Sequence, residues 1–127
     1  MRKVLIGVQC RYNSTRLPGK ALLQVGGRTI IEHVVTAAYR AGRYIEKNYK
    51  AKCFTYLLIP HGDERIHEYM KSAVPVITGP ENDVLARYVK LANTHDGDFI
   101  VRLTGDCLYI PPFAISRHIK WALRVDS

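Results

Sequence analysis

At 127 residues, 47% hydrophobic and 24% charged, the chain has the composition of one globular domain. That excludes the disordered, collagen-like and coiled-coil classes, and no apolar run approaches the ~18–20 residues of a membrane span. The net charge of +8 is lopsided, since residues 1–52 carry eleven Lys and Arg against two acids and residues 53–127 carry eight against nine; a basic half suits an anionic partner or forms a solvated basic face.

The start, MRKVLIGVQC, is basic and then apolar, but the run is short and no small-residue cleavage site follows. It reads as a first strand, Val4–Val8, followed by a polar loop from Gln9 to Lys20. Thr29-Ile30-Ile31-Glu32 is a capping box that opens a helix. Ile30, Ile31, Val34, Val35, Ala38 and Ala41 keep helical spacing, and Gly42 ends the pattern. Arg43 to Lys52 is expected to be a loop or a fraying extension.

Cys53–Ile59 is a second strand, stopped by Pro60. Gly62-Asp63 gives a turn and an N-cap for a short helix through about Lys71, with Ile66, Tyr69 and Met70 on one face. Val74–Thr78 is a third strand. Asn82 or Asp83 caps the next helix, whose apolar side is expected to be Leu85, Tyr88, Val89 and Ala92. Asp98–Leu103 is a fourth strand, Thr104-Gly105-Asp106-Cys107 a loop, and Pro112 opens a last helix with Ile115, Ile119, Ala122 and Leu123 at helical spacing. Strands alternating with helices predict one α/β domain with a mainly parallel sheet. Ligands of such sheets bind beyond the carboxyl ends of the strands, where Gln9–Lys20, Pro60–Asp63 and Thr104–Pro112 lie.

The first loop, QCRYNSTRLPGK, sets Arg11, Arg16 and Lys20 around Asn13, Ser14 and Thr15. Short polar side chains and free backbone N–H groups beside three cations suit phosphate. The alternative is a plain Leu17-Pro18-Gly19 turn with solvent-facing cations. A Walker loop would need Gly at Ser14 and Ser or Thr at Ala21, and no dinucleotide fingerprint follows the strand. After the fourth strand, Asp106 places a carboxylate over the strand ends, where it suits a Mg²⁺–polyphosphate complex or simply caps a turn.

STRLPGK resembles the signature of the sugar cytidylyltransferases, the family of the CMP-sialic acid and CMP-KDO synthetases and the spore-coat polysaccharide type. The continuation through Gly26-Gly27 and Glu32-His33-Val34 is similar to that family's run. GPENDVLARY (79–88) and RLTGDC (102–107) resemble motifs of its spore-coat branch. The resemblance implies a three-layer α/β/α Rossmann-like fold over 1–127, truncated relative to longer family members. It implies transfer of CMP from CTP to a sugar or sugar acid, with pyrophosphate leaving, for surface polysaccharide synthesis. It implies catalytic roles for Lys20, Arg16 and Asp106, with Asp106 as the Mg²⁺ ligand. Nucleotide would be bound by Gln9, Cys10, Arg11, Asn13, Ser14, Arg16 and Lys20, with Gly79 to Arg87 near the base or the incoming sugar and Arg87 the residue singled out there. Leu108-Tyr109-Ile110-Pro111 departs from the family pattern, which has Pro after the cysteine and a further acid. A nucleotide-binding module without turnover is the alternative reading, and a basic nucleic-acid-binding domain a second one.

The remaining candidates read as structural. His33 and His61 belong to no metal-spaced cluster, and Cys107 has no activating His beside it in sequence. Three cysteines, Cys10, Cys53 and Cys107, are an odd count without metal spacing, which fits reduced thiols and the cytoplasm. Basic and aromatic residues are not interleaved along the sequence, which argues against nucleic acid. The expected partners are CTP and the sugar, without membrane, and a homodimer is compatible with the family.

Overall fold

The computed structural model describes residues 1–12, 19–104 and 112–125. Its elements are β1 (Arg2–Gln9), β2 (Gln24–Val25), β3 (Arg28–Thr29), α1 (Ile30–Asn48), β4 (Ala51–Pro60), α2 (Glu64–Met70), β5 (Val76–Gly79), α3 (Val84–Thr94), β6 (Phe99–Thr104) and α4 (Pro112–Val125), with one 3₁₀ turn at Lys20–Leu22. Four strands form a sheet in the order β5-β4-β1-β6, and every pair in it is parallel. The expected α/β class and parallel sheet are what is found.

The sheet is covered on both faces, which is why β1 reads as an unbroken apolar run. Val4, Ile6 and Val8 pack with Leu57 and Ile59 of β4 beneath α1, α2 and α4. Leu5 turns the other way and packs with Tyr56, Leu58, Tyr88 and Leu91 beneath α3. Val4, Leu5, Ile6 and Val8 are all fully buried, each contributing ~1.5–3 kcal/mol relative to exposure.

The capping box at the start of α1 is complete. Glu32 N donates to Thr29 Oγ1 at 3.3 Å, and Glu32 Oε1 accepts from Thr29 N at 2.9 Å. The helix does not stop at Gly42. Ile45, one turn beyond Ala41, is fully buried and extends the apolar stripe, so α1 runs on to Asn48. Gly42 is a packing position instead, because a Cβ there would lie 3.0 Å from Cys53 Cβ.

Helix α3 departs from the expected face. Tyr88 and Leu91 meet the sheet and Arg87 is buried, whereas Leu85, Val89 and Ala92 are exposed. The reason is lateral position. Tyr88 rests on Gly7, where a Cβ would come within 2.6 Å of its ring, and its Oη donates to Gly7 O at 2.9 Å. The helix therefore sits over β1, β4 and β5. Ile100, Arg102 and Thr104 of β6 share that face by register and stay exposed. Asp83, not Asn82, caps α3 through Ala86 N at 3.0 Å. The third strand starts at Val76 rather than Val74, whose N–H is taken by Met70 O at the end of α2.

The β2–β3 hairpin was not expected. Gly26 and Gly27 both take positive φ, 63° and 84°, the conformation that two-residue hairpin turns require. Thr29→Ala should lower the unfolding free energy by about 1 kcal/mol in urea titrations at pH 7. The Glu32 carboxyl is held below its ordinary value, first by the Tyr69 hydroxyl and then by the Thr29 N–H. Its contribution is present at neutral pH and lost as pH falls through that lowered pKa. The stability difference between wild type and Glu32→Gln should shrink on acidification below pH ~4. Burial, and then Glu46, push the Cys53 thiol up to about 11. Iodoacetamide at pH 8 should leave Cys53 unmodified in the folded chain and label it only after unfolding, since the thiolate is the nucleophile.

Candidate functional site

The carboxyl ends of β1, β4 and β5 open onto one cavity of about 420 Å³, lined by Arg11, Tyr12, Pro60, His61, Gly62, Asp63, Glu64, Arg65 and Glu81. The chain is led into it by β1, which holds register with β4 as far as Gln9, and Cys10 N then donates to Leu58 O at 3.0 Å. Cys10 is buried and Arg11 is exposed at the mouth.

Asp63 stands at the N-cap of α2 as expected, but its side chain does not cap the helix. Asp63 Oδ2 accepts instead from Tyr12 N at 2.8 Å. The Arg65 guanidinium lies over the Tyr12 ring, 4.5 Å from its centre. The loop after β4 thus fixes the start of the loop after β1. Its far end is tied as well. Gly19, at φ 77°, donates its N–H to Tyr12 O at 2.7 Å, and Lys20 follows directly in the 3₁₀ turn. A Cβ at Gly19 would meet the Tyr12 ring at 3.1 Å, and the positive φ independently favours glycine. Residues 12 and 19 are therefore a closed neck that returns the half-buried Lys20 to the end of β1.

Among the described residues Arg87 is the largest fully buried side chain. Its Nε donates to Pro80 O at 3.1 Å and its Nη2 to Glu81 O at 3.0 Å, while Nη1 is buried without an acceptor among the described residues. Burial, and next the Arg11 guanidinium, lower its pKa. Gly79 is required by this packing, since a Cβ there would come within 2.6 Å of Arg87 Cγ.

Of the sequence candidates, Gln9, Cys10, Arg11 and Lys20 gather at the end of β1, and Arg87 lies behind the turn that carries Glu81. Asn13, Ser14, Arg16 and Asp106 lie outside the described residues, as does Cys107. Tyr12, Asp63 and Arg65 were not singled out as site residues, whereas Glu81 falls within the Gly79–Arg87 segment expected near the ligand. The Pro60–Asp63 loop was already placed at a strand end, which was the available signal for Asp63. The Tyr12–Arg65 contact joins positions 53 apart and leaves no local trace. His61 also lines the cavity, with Nδ1 3.1 Å from Thr78 Oγ1, and His33 Nε2 lies 2.7 Å from Val25 O. Among the described residues no three His, Cys, Asp or Glu side chains converge as a metal site. No described helix is long and apolar enough to cross a membrane.

Residues 5–124 match the sequence profile of a family described as cytidylyltransferase. A 3-deoxy-manno-octulosonate cytidylyltransferase of Solibacter usitatus is 32% identical over 117 residues, covering 90% of this chain and 42% of that protein. Spore coat polysaccharide biosynthesis protein SpsF of Bacillus subtilis is 30% identical over 117 residues, covering 88% of this chain and 46% of that protein. The structure of a cytidylyltransferase from Leptospira borgpetersenii superposes with a TM-score of 0.82 at 32% identity, covering 98% of this chain and 50% of that one. The chain spans about half the length of these relatives.

Replacing Asp63 with Ala should free the Tyr12 N–H. A hydrogen bond to a charged acceptor is worth ~1.5–3 kcal/mol, so exchange of the Tyr12 amide should accelerate about tenfold or more. An unchanged rate would mean that the neck is held some other way.

Proposed function

The chain belongs to the cytidylyltransferase family, and from that membership we propose that it binds CTP across the carboxyl ends of β1, β4 and β5 and transfers CMP to a sugar or sugar acid. The match over residues 5–124 carries this reading. The closed neck at Tyr12 and Gly19 supports it, because it holds both ends of a loop rich in cations and short polar side chains.

In the reaction a sugar hydroxyl attacks the α-phosphorus of CTP. A new P–O bond forms, the bond to the bridging oxygen breaks, pyrophosphate leaves and the hydroxyl proton passes to solvent. Such chemistry depends on alignment and charge neutralisation more than on a strong base. Arg11, Arg16 and Lys20 hold the β- and γ-phosphates in this proposal, with Gln9, Cys10, Asn13 and Ser14 supplying the surrounding loop. The reading includes Mg²⁺ bound to the triphosphate with Asp106 as its protein ligand; when bound, the ion would neutralise phosphate charge. That assignment of Asp106 rests on the resemblance of Arg102–Cys107 to the family's motif. A cytoplasmic setting and a homodimer belong to the same proposal.

A nucleotide-binding module without turnover is the second reading of the same strand-end cavity. Calorimetric titration of CTP, with ATP, GTP and UTP as competitors, with and without Mg²⁺, tests the binding that both readings require. Pyrophosphate release with a sugar acid present separates the two. Lys20→Ala should weaken CTP binding at least tenfold, about 1.4 kcal/mol, with the melting temperature retained. Unchanged affinity would remove Lys20 from the site.

A further inference from the structure

The sequence keeps its basic and aromatic residues apart, but the fold brings some of them together. Two hollows of about 360 and 650 Å³ lie along α1 and share Arg40 and Tyr44, so they form one trough, closed on its other side by α4 in the smaller hollow. None of its lining residues lines the strand-end cavity. Five cations face it, Arg40, Arg43 and Lys47 from α1 and Arg117 and Lys120 from α4. Among the described residues lining it Glu46 is the single acid, and Glu46 Oε2 accepts from Cys53 N at 3.0 Å. Like charges three or four positions apart on a helix repel. Arg40 and Arg43, Arg43 and Lys47, and Arg117 and Lys120 all stand at that spacing. None of the five side chains makes an ion pair or a hydrogen bond with another described residue. The repulsion therefore has no compensation among those residues, and a polyanion would supply it.

Two rings stand among these charges. Tyr44 is 51% exposed and Phe113 66%, and both line the smaller hollow. A phosphate alone leaves such rings unused, whereas an unpaired base stacks on them. Cations that track a backbone beside rings that take bases are the pattern of single-strand binding. A duplex keeps its bases stacked on one another. A bilayer surface takes rings that project into it, and these line a hollow between two helices. We propose that the trough between α1 and α4 binds single-stranded nucleic acid, with bases stacked on Tyr44 and Phe113 and phosphates on the surrounding Arg and Lys side chains. The site is separate from the strand-end cavity and does not depend on the nucleotide reading above.

Anisotropy titrations test this with labelled oligouridylate and oligodeoxythymidylate of about 12 nucleotides and a duplex of the same length, with thermal melts as the check on folding. Wild type should bind a single strand at least tenfold more tightly than the duplex, and saturating CTP should leave that binding in place. Preference for one of the two strands identifies the sugar, and either supports the proposal. Tyr44→Ala/Phe113→Ala keeps every charge. It should weaken the single strand at least tenfold and leave inorganic polyphosphate, titrated by calorimetry, within about threefold. Arg40→Gln/Arg117→Gln should flatten the slope of log affinity against log salt by about 1.4, from ~0.7 per phosphate contact. Arg28→Gln/Lys71→Gln removes the same charge from exposed positions outside the trough and should leave the slope unchanged. The two charge variants decide the matter if the ring variant does not fold. The inference is overturned by a wild type that binds no single strand, by a duplex bound equally well, by displacement with CTP, by unchanged affinity in a folded ring variant, or by equal slopes in the two charge variants. Uptake of wild type by phosphatidylglycerol vesicles, without binding to single strands, assigns the trough to a membrane surface and also overturns it. A wild type that binds a single strand but not CTP overturns the nucleotide reading alone.

Discussion

The constraint on which the strand-end region depends is the position of β1. It is hydrogen-bonded on both sides and buried on both faces, so it has no freedom to shift or twist independently. A one-residue slip would exchange Val4, Ile6 and Val8 for Leu5 and Gly7 and place Tyr88 over a side chain instead of a glycine. Where β1 ends, the chain must therefore emerge at one point, beside the ends of β4 and β5. Tyr12, whose N–H is held by Asp63 from the loop after β4 and whose carbonyl is held by the Gly19 N–H, extends that rigidity into the cavity wall. The cations follow from a scaffold that is already fixed.

Local signals in the sequence were sufficient for most elements. The capping box at Thr29, the glycine and aspartate punctuation, and the apolar runs located α1, α4 and the four main strands. Non-local facts decided the rest. Gly42 reads as a helix end by composition, yet it is a contact with Cys53 of a different element. Leu85, Val89 and Ala92 form a coherent apolar stripe on paper, but Tyr88 anchors α3 over Gly7 and rotates that stripe away from the sheet. Strand order is set by crossovers between distant segments. In the candidate site, Arg11 and Lys20 were legible because one loop contains them. Arg87 was legible as a residue and not as a clamp, since its partners are carbonyls, which leave no mark in the sequence.

Charge shows the same limit. The excess in residues 1–52 suggested an anion site in the first loop. Much of it lies elsewhere, on the solvent face of α1, where Arg40, Arg43 and Lys47 are exposed. These stand near Arg117 and Lys120 of α4 and the exposed aromatic rings of Tyr44 and Phe113. Basic and aromatic side chains that are far apart in sequence thus become neighbours in the fold. The count of charges was informative about the molecule and uninformative about the site.

The far edge of the sheet has a different significance. Among the described residues no strand lies beyond β6. Its register with β1 is unbroken from Phe99 to Thr104, it contains no proline, and Arg102 is its single charge. Such a rim is a template for strand addition between molecules. What opposes it is the chain's own net charge of +8, acting through repulsion between copies rather than through the shape of the edge. Salt screens that repulsion. As ionic strength rises, the edge of β6 thus loses the long-range repulsion between copies, while the burial that holds β1 and β4 together is untouched.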